Sequence, residues 1–314
     1  MPEVITLTLN PCVDVSTATA KVTPTHKLRC SSPFKTPGGG GVNVARYLTR
    51  LGHSALALHT AGGRTGVELQ DLLALEGVPH GAVPLKAPTR ESWHVHEDSS
   101  GQEFRFVMPG PHMSDLEWAS VRDALQTQIA HDKPRCVVLS GSLPPGVPAD
   151  AYAQLLRWCR GEGLTCVLDA SGEALRHALS VGVDWVKPSL GELRAYTGLG
   201  LHTLHEQITA LRDLIHQKRA QVVVLSLGEE GAVLATKEVL LRVRAPQVSV
   251  VSAVGAGDSL VAGLVSGLLQ GMSYREMLVR ATAVSAATLA HGPGSVWIKK
   301  DLDTFQSQVV LEVL

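Results

Sequence analysis

The sequence predicts an α/β fold built on a doubly wound, mostly parallel sheet flanked by helices. Three observations carry that expectation. Short Val- and Leu-rich runs alternate with helical stretches. The chain is 45% apolar but only 4% aromatic, which suits parallel strands packed on both faces by aliphatic side chains. Two polar, β-branched stretches interrupt the alternation, as a small inserted sheet would. With 314 residues the chain can bury a substantial core, and one domain over 1–314 is expected.

Taken in order, Val4–Leu9, Ala55–Thr60, Cys136–Ser140, Thr165–Asp169, Trp185–Lys187 and Val222–Leu227 are the expected strands. Ala149–Gly161, Leu204–Lys218 and Ser259–Leu269 are the expected helices. In the last, Leu260, Val261, Leu264, Val265, Leu268 and Leu269 recur at helical spacing. Asp14–Pro37 and Lys86–Pro109 break the rhythm. His94–Glu97 and Gln102–Met108 form a hairpin around Ser99–Ser100–Gly101. Together these stretches predict a β lid, with strands from about 12–36 and 86–109.

Composition excludes several classes. Formal net charge is −1, without the basic excess of a nucleic-acid coat, so no nucleic-acid partner is expected. No apolar run reaches the roughly 18 residues of a membrane span, so no membrane association is expected. Met1–Leu9 is too short for a signal peptide and carries Glu3. The five cysteines form no CxxC pair and no zinc spacing, and Cys136 and Cys166 sit in apolar runs. A soluble cytoplasmic protein is expected.

Two glycine-rich segments carry the chemistry. In Pro37–Gly38–Gly39–Gly40–Gly41–Val42–Asn43, four glycines leave backbone N–H groups unshielded ahead of a helix expected to begin near Val42. The run serves either to grip a polar ligand or to pack a loop tightly. In Val254–Gly255–Ala256–Gly257–Asp258–Ser259, successive N–H groups can form an anion nest at a positive helix end. Asp258 is then either a base for an attacking hydroxyl or the helix N-cap. No GxxxxGK[ST] occurs, so this is not a P-loop enzyme; neither glycine cluster follows GxGxxG, which weakens a dinucleotide reading; and no HExxH or clustered Cys/His supports a transition-metal site. Gly263 and Gly267 are expected to serve close helix packing.

Together these segments resemble the two signatures of the ribokinase-like (PfkB) carbohydrate kinases, over essentially the whole chain. Thr6–Leu7–Thr8–Leu9–Asn10–Pro11 with Asp14 is similar to the phosphosugar branch of that family. Lys27–Leu28–Arg29–Cys30, Thr89–Arg90, Arg105–Gly110, Ser140–Gly146 and Ser171–Leu175 are similar to the minor bacterial 6-phosphofructokinases within it. The resemblance implies a Rossmann-like domain with a β lid, ATP and Mg²⁺ as cofactors, and a phosphosugar as substrate. It also implies a homodimer clasped through the lids, with Arg90 able to reach the neighbouring site.

By position, the resemblance makes Asp258 the catalytic base and the amides of Gly255, Ala256 and Gly257 the anion hole. Asp14, Gly39 and Asn43 would hold sugar hydroxyls. Lys27, Arg90 and Arg105 would meet the sugar phosphate, which as a dianion favours several cations or a guanidinium fork. Lys187 would lie along the ATP phosphates, Ser189, Ser226 and Gly228 would border the nucleotide, and Glu192 would hold a water of the Mg²⁺ shell. The family's usual Asn is Ser189 here, which shortens its reach. His291–Gly292–Pro293–Gly294, expected to border the adenine, also departs from the nearest relatives.

The implied reaction is in-line transfer from ATP to fructose 6-phosphate. Gly40 occupies the position where 1-phosphofructokinases tend to carry Lys, and Arg105 is present. Fructose 1-phosphate and tagatose 6-phosphate kinases are the near alternatives, differing by pocket energies of about 1–3 kcal/mol. A nucleoside or vitamin kinase would leave Lys27, Arg90 and Arg105 without a phosphate. A non-catalytic sugar-phosphate sensor would not need Asp258 or its nest.

Overall fold

Successive residues of a strand point to opposite faces, so a strand covered on both sides must be apolar at nearly every position. The structure, a computed structural model, describes residues 1–292 and 299–314. Its strands are β1 Val4–Thr8, β2 Cys12–Thr19, β3 Phe34–Gly38, β4 Ala55–Gly62, β5 His80–Leu85, β6 Arg90–Glu97, β7 Glu103–Val107, β8 Cys136–Ser140, β9 Thr165–Asp169, β10 Val183–Val186, β11 Ala220–Ser226, β12 Ala232–Ala235, β13 Leu240–Arg244 and β14 Val310–Val313. Its helices are α1 Gly40–Arg50, α2 Gly63–Leu75, α3 Asp115–Asp132, α4 Ala151–Gly161, α5 Gly172–Val181, α6 Leu190–Thr197, α7 Leu204–His216, α8 Ala256–Leu269, α9 Tyr274–His291 and α10 Lys299–Gln308.

The strand pattern divides the core in two. Ile5, Leu7, Val137, Leu139 and Leu168 face a cluster built with α3, α4, α5 and α7. Val4, Cys136, Val138 and Val167 face the other, built with α1, α2, α8 and α9. The large sheet runs β14-β13-β12-β11-β10-β9-β8-β1-β4-β5. It is parallel from β5 to β11 and antiparallel from β11 to β14. From β1 the chain passes to β4 on one side and later returns to β8 on the other. Such a reversal opens a crevice beyond the carboxyl ends of the strands, where α/β proteins bind ligands.

The second cluster contains the apolar helix α8. Leu260, Val261, Leu264 and Val265 are buried in it, each contributing about 1.5–3 kcal/mol. A Cβ at Gly263 would strike the backbone of Ala281 in α9, and one at Gly267 would stand 2.6 Å from Met277. The GxxxG pair is therefore helix packing.

The polar stretches form a four-stranded sheet ordered β3-β2-β6-β7. β2 and β6 pair in parallel from Cys12 opposite Arg90 to Thr19 opposite Glu97. That register puts Asp14, Ser92 and His94 on one face, with Arg105 opposite His94. On the other face Val13 and Val15 are buried in the cluster that contains α2, whereas Trp93 and Phe106 remain exposed.

Three differences from the sequence reading have physical reasons. α1 begins at Gly40 rather than Val42, with Gly39 as its N-cap. Only residues without side chains fit its first turn, because a Cβ at Gly40 would strike Ser140 and one at Gly41 would come within 2.6 Å of Thr8 Oγ1. β5, β12, β13 and β14 were not anticipated, being short and ambiguous without their pairing partners. The strand expected at Trp185–Lys187 ends at Val186, leaving Lys187 beyond the sheet edge.

Candidate active site

The carboxyl ends of five adjacent strands converge on one crevice. β1 leads to Asn10, β8 ends at Ser140, β9 at Asp169 and β11 at Ser226, and β10 is followed by Lys187. Several buried polar atoms here have no hydrogen-bond partner among the described residues: Thr8 Oγ1, Asn10 Oδ1, Ser140 Oγ and His94 Nδ1. Buried polar atoms are almost always paired, so an orphaned set along one crevice marks where a polar ligand belongs.

At the crevice floor, α8 presents its amino end. Gly255 is the N-cap with φ +79°, a left-handed conformation that favours glycine. Ala256 N–H makes only a long 3.4 Å bond to Ala253 O, and the N–H groups of Gly255 and Gly257 have no partner among the described residues. These are the orphan donors every helix start carries, here opening onto the crevice. Asp258 is the third helical residue, not the N-cap, which corrects that alternative: its Oδ2 accepts from Asn43 Nδ2 at 2.8 Å. Lys187 is buried, with Nζ 3.1 Å from Asp169 Oδ1 and near Gly257.

The electrostatics follow from burial and charge. Burial, reinforced by the negative charge of Asp169, pushes the Asp258 carboxyl up to about 7, against the opposing pull of the Asn43 amide and Lys187. A base with that affinity is half-ionised near neutrality, where general bases work best. Burial alone would lower the Lys187 ammonium, but Asp169, Glu192 and Asp258 outweigh it and hold it above the ordinary lysine value.

Ser189 and Ser226 are brought side by side by a single bridge, and Ser226 N–H donates to Pro188 O at 3.0 Å. Gly228 follows at a turn with φ +62°. Ser189 and Glu192 form a reciprocal capping box at the start of α6. Ser189 N–H donates to Glu192 Oε2 at 2.7 Å, and Glu192 N–H donates to Ser189 Oγ at 3.2 Å. The substituted serine is thus occupied as a cap, and its backbone N–H holds the Glu192 carboxylate through Oε2, with no hydrogen bond to Oε1 among the described residues. The S-x-x-E spacing of a capping box was readable in the sequence. In the loop expected to border the adenine, His291 and Gly292 close α9, while Pro293 and Gly294 lie outside the described residues.

The lid supplies the opposite wall. Asp14 is buried, and Oδ1 accepts from Cys12 Sγ at 3.2 Å and lies 3.4 Å from His94 Nε2. Arg90 donates to Met108 O at 3.0 Å and to Asn10 O at 3.1 Å. Two of its guanidinium nitrogens are thus engaged by backbone carbonyls of the same chain. Arg105 on β7 and Lys27 in the loop between β2 and β3 are exposed, with no ionic partner among the described residues. Ser252 Oγ donates to Glu103 Oε1 on β7 at 2.9 Å, tying the lid to the segment that precedes Gly255.

Sequence reasoning passed over Asp169, Ser140 and Arg46. The first two are the terminal residues of strands it had delimited, and the carboxyl-end rule would have selected them. Arg46 had no sequence signal, because its partners are distant in the chain. Grooves of about 640 and 840 Å³ that share Arg160, Trp185 and Tyr274 lie at the amino ends of the strands and lack such a constellation.

The sequence pattern described as pfkB family carbohydrate kinase matches residues 3–296. The chain belongs to the pfkB family of carbohydrate kinases. Among its relatives, the ATP-dependent 6-phosphofructokinase isozyme 2 of Mycobacterium tuberculosis is 43% identical over 300 residues, covering 96% of this chain and 87% of that one. The phosphofructokinase-2 of Escherichia coli, solved in complex with fructose-6-phosphate, has TM-score 0.90 and 36% identity, covering 98% of this chain and 99% of that one. A tetrameric inhibited form of the same Escherichia coli protein matches with TM-score 0.90 and 37% identity, covering 98% and 99%. The solved phosphofructokinase-2 structures thus share this fold over nearly the whole chain.

Proposed function

We propose that this pfkB kinase transfers the γ-phosphoryl group of ATP to fructose 6-phosphate, giving fructose 1,6-bisphosphate. One observation carries the reading: Asp258 stands beside the unpartnered amides that open α8, in a crevice whose far wall bears Arg90 and Arg105. Base, anion hole and phosphate-binding cations thus line one cleft. The 36–43% identity to 6-phosphofructokinases supports this substrate. So does Gly40, where Ser140 leaves no room for a larger residue such as the lysine of 1-phosphofructokinases.

In this reading Asp14, Gly39 and Asn43 orient the sugar, and Lys27, Arg90 and Arg105 hold its phosphate. Asp258 takes the proton of the attacking hydroxyl. The amides of Gly255, Ala256 and Gly257 and the Lys187 ammonium stabilise charge on the transferring phosphoryl group. Ser189, Ser226 and Gly228 border the nucleotide. The lid excludes water that would otherwise compete for the phosphoryl group.

Magnesium fits the residues present. Among the described residues no cluster of three ligating side chains occurs, and magnesium is commonly held by one or two carboxylates, water and phosphate oxygens. Glu192, with no hydrogen bond to Oε1 among the described residues, would hold it through water, with Asp169 close by. Bound there, the ion would neutralise phosphate charge.

The lid also supports a homodimer. Leu28, Phe34, Trp93, Phe106, Val107 and Met108 are all exposed on it, a concentration of apolar surface that a partner would cover. Light scattering should give a dimer mass, reduced to a monomer by Trp93→Asp with Phe106→Asp. A monomeric native protein would sink the clasp. Five free thiols, four of them buried, fit a cytoplasmic location. Among the described residues no helix is long and apolar enough to cross a membrane.

The functional test is ADP release with Mg-ATP against fructose 6-phosphate, fructose 1-phosphate, tagatose 6-phosphate and ribose. We expect the highest kcat/KM with fructose 6-phosphate. A preference for another ketohexose phosphate would overturn the role given to Gly40, and silence on all four would favour a sensor.

A further inference from the structure

Arg46 takes no part in the reaction as described, yet it is among the most buried charged residues, at 3% exposure. Its Nη1 donates to Asn43 Oδ1 at 2.9 Å and to Pro37 O at 2.8 Å. Its Nε and Nη2 grip the Glu76 carboxylate at 2.8 and 2.5 Å. Asn43 in turn donates from Nδ2 to Asp258 Oδ2 at 2.8 Å. A continuous chain therefore runs from Glu76, the C-cap of α2, through Arg46 and Asn43 on α1, to Asp258 on α8.

The chemistry of the donors gives this chain a direction. An asparagine amide has two orientations of nearly equal shape, one presenting oxygen and one presenting NH₂. A guanidinium has only donors, so beside Arg46 the amide must present its oxygen. Its NH₂ then faces Asp258, and an ionised carboxylate has only acceptors. We propose that Arg46 is a positioning residue for the base: through the Asn43 amide it holds an N–H donor against Asp258 and so keeps that carboxylate in its proton-accepting form. This rests on the reading of Asp258 as general base.

Without a donor-only neighbour, Asn43 can turn its oxygen toward Asp258, where a protonated carboxyl would donate to it. The base would then be silenced at pH values where it is otherwise active. The other charged or titratable groups around Asp258 are Lys187 and Asp169 beyond β10 and at the end of β9, Asp14 on β2 and Tyr47 on α1. The Arg46 and Glu76 exchanges leave all of these residues in the sequence.

The test is the pH dependence of kcat in four variants of the full chain. Arg46→Gln with Glu76→Gln leaves a neutral, hydrogen-bonded pair in place of the buried ions. Its acid limb should move to higher pH by about one unit, with turnover down about tenfold at pH 6 and near normal at pH 9. Arg46→Lys, again donor-only, should keep the limb in its original position, and it remains informative where the double variant does not fold. The exchange made in an Asn43→Ala background should add no further shift, because the relay is already gone. Loss of turnover by the same factor at every pH, a shift with Arg46→Lys as large as with Gln, or a shift persisting without Asn43 would each overturn the inference. Asp258→Asn measured in parallel separates the two claims: if that variant stays active, the base reading itself is wrong.

Discussion

Around Asp258 every neighbouring charged side chain has a partner inside the chain, whereas Lys27 and Arg105 have none among the described residues. The floor of the crevice is assembled in advance: Asn43, Lys187, Asp169 and the start of α8 are set by strand ends and by two helices buried on the sheet. The lid wall is exposed strand and loop. The difference matches two tasks. Charge developing during transfer is best met by groups that need no reorganisation. A phosphate arriving from water is best met by cations that are free until it comes and can close over it.

The largest expected effect tests the floor. Asp258→Asn should lower kcat by about 10²–10⁴-fold, roughly 3–5 kcal/mol, with the KM for the phosphosugar little changed. Turnover close to that of the native protein would remove Asp258 from the chemistry and erase the contrast between floor and lid.

Next in size are the lid cations. Arg105→Ala and Lys27→Ala should each raise the KM for fructose 6-phosphate by about 10–100-fold, as loss of a charge-assisted hydrogen bond worth ~1.5–3 kcal/mol would. Since both are exposed and have no ionic partner among the described residues, thermal unfolding should be unchanged. A drop in stability would show that they brace the lid instead of serving a ligand.

The raised affinity of Asp258 for protons gives a pH test with a definite sign. A base must be deprotonated, so kcat/KM should fall below pH 7 as Asp258 takes up its proton. The same group makes the ligand-free protein bind more protons than its unfolded chain between the ordinary aspartate value and about 7. Stability contributed by this group therefore declines as pH rises through that window. Asp258→Asn should raise the melting temperature at pH 8 by about 2–4 °C and leave it unchanged at pH 3.5. An equal shift at both pH values would mean that burial is not what raises Asp258.

The smallest effect concerns the cap. Ser189→Ala should destabilise the protein by about 1 kcal/mol, the usual loss for an N-cap, and change the KM for Mg-ATP little, because the backbone N–H that holds the Glu192 carboxylate is kept. A large rise in that KM would show that the Ser189 hydroxyl serves the nucleotide and not the cap alone.

Most of the floor was legible before the structure because its elements are local. An apolar run followed by a turn announces a strand end, and two glycines ahead of an apolar helix announce exposed amides. The capping box at Ser189 was equally local, although it was read as a weakened contact. Arg46 was not legible, because its role depends on Glu76, which reaches it only when α2 packs beside α1. The antiparallel wing of β12 to β14 was missed for a similar reason: short strands of four or five residues acquire their identity from the neighbours that pair with them.

By itself, then, the sequence determined the alternation of strand and helix, the aliphatic core, the inserted lid and the residue types that the proposed reaction assigns to a phosphoryl group. These depend on periodicity and backbone chemistry within a few residues. Only the tertiary structure decided that Asp258 is partnered by Asn43 rather than capping its own helix, that Lys187 is paired with Asp169, and that the Asn43 amide lies between Arg46 and Asp258. Hydrogen-bond direction and ion pairing depend on distances between atoms far apart in the chain, and folding sets those distances.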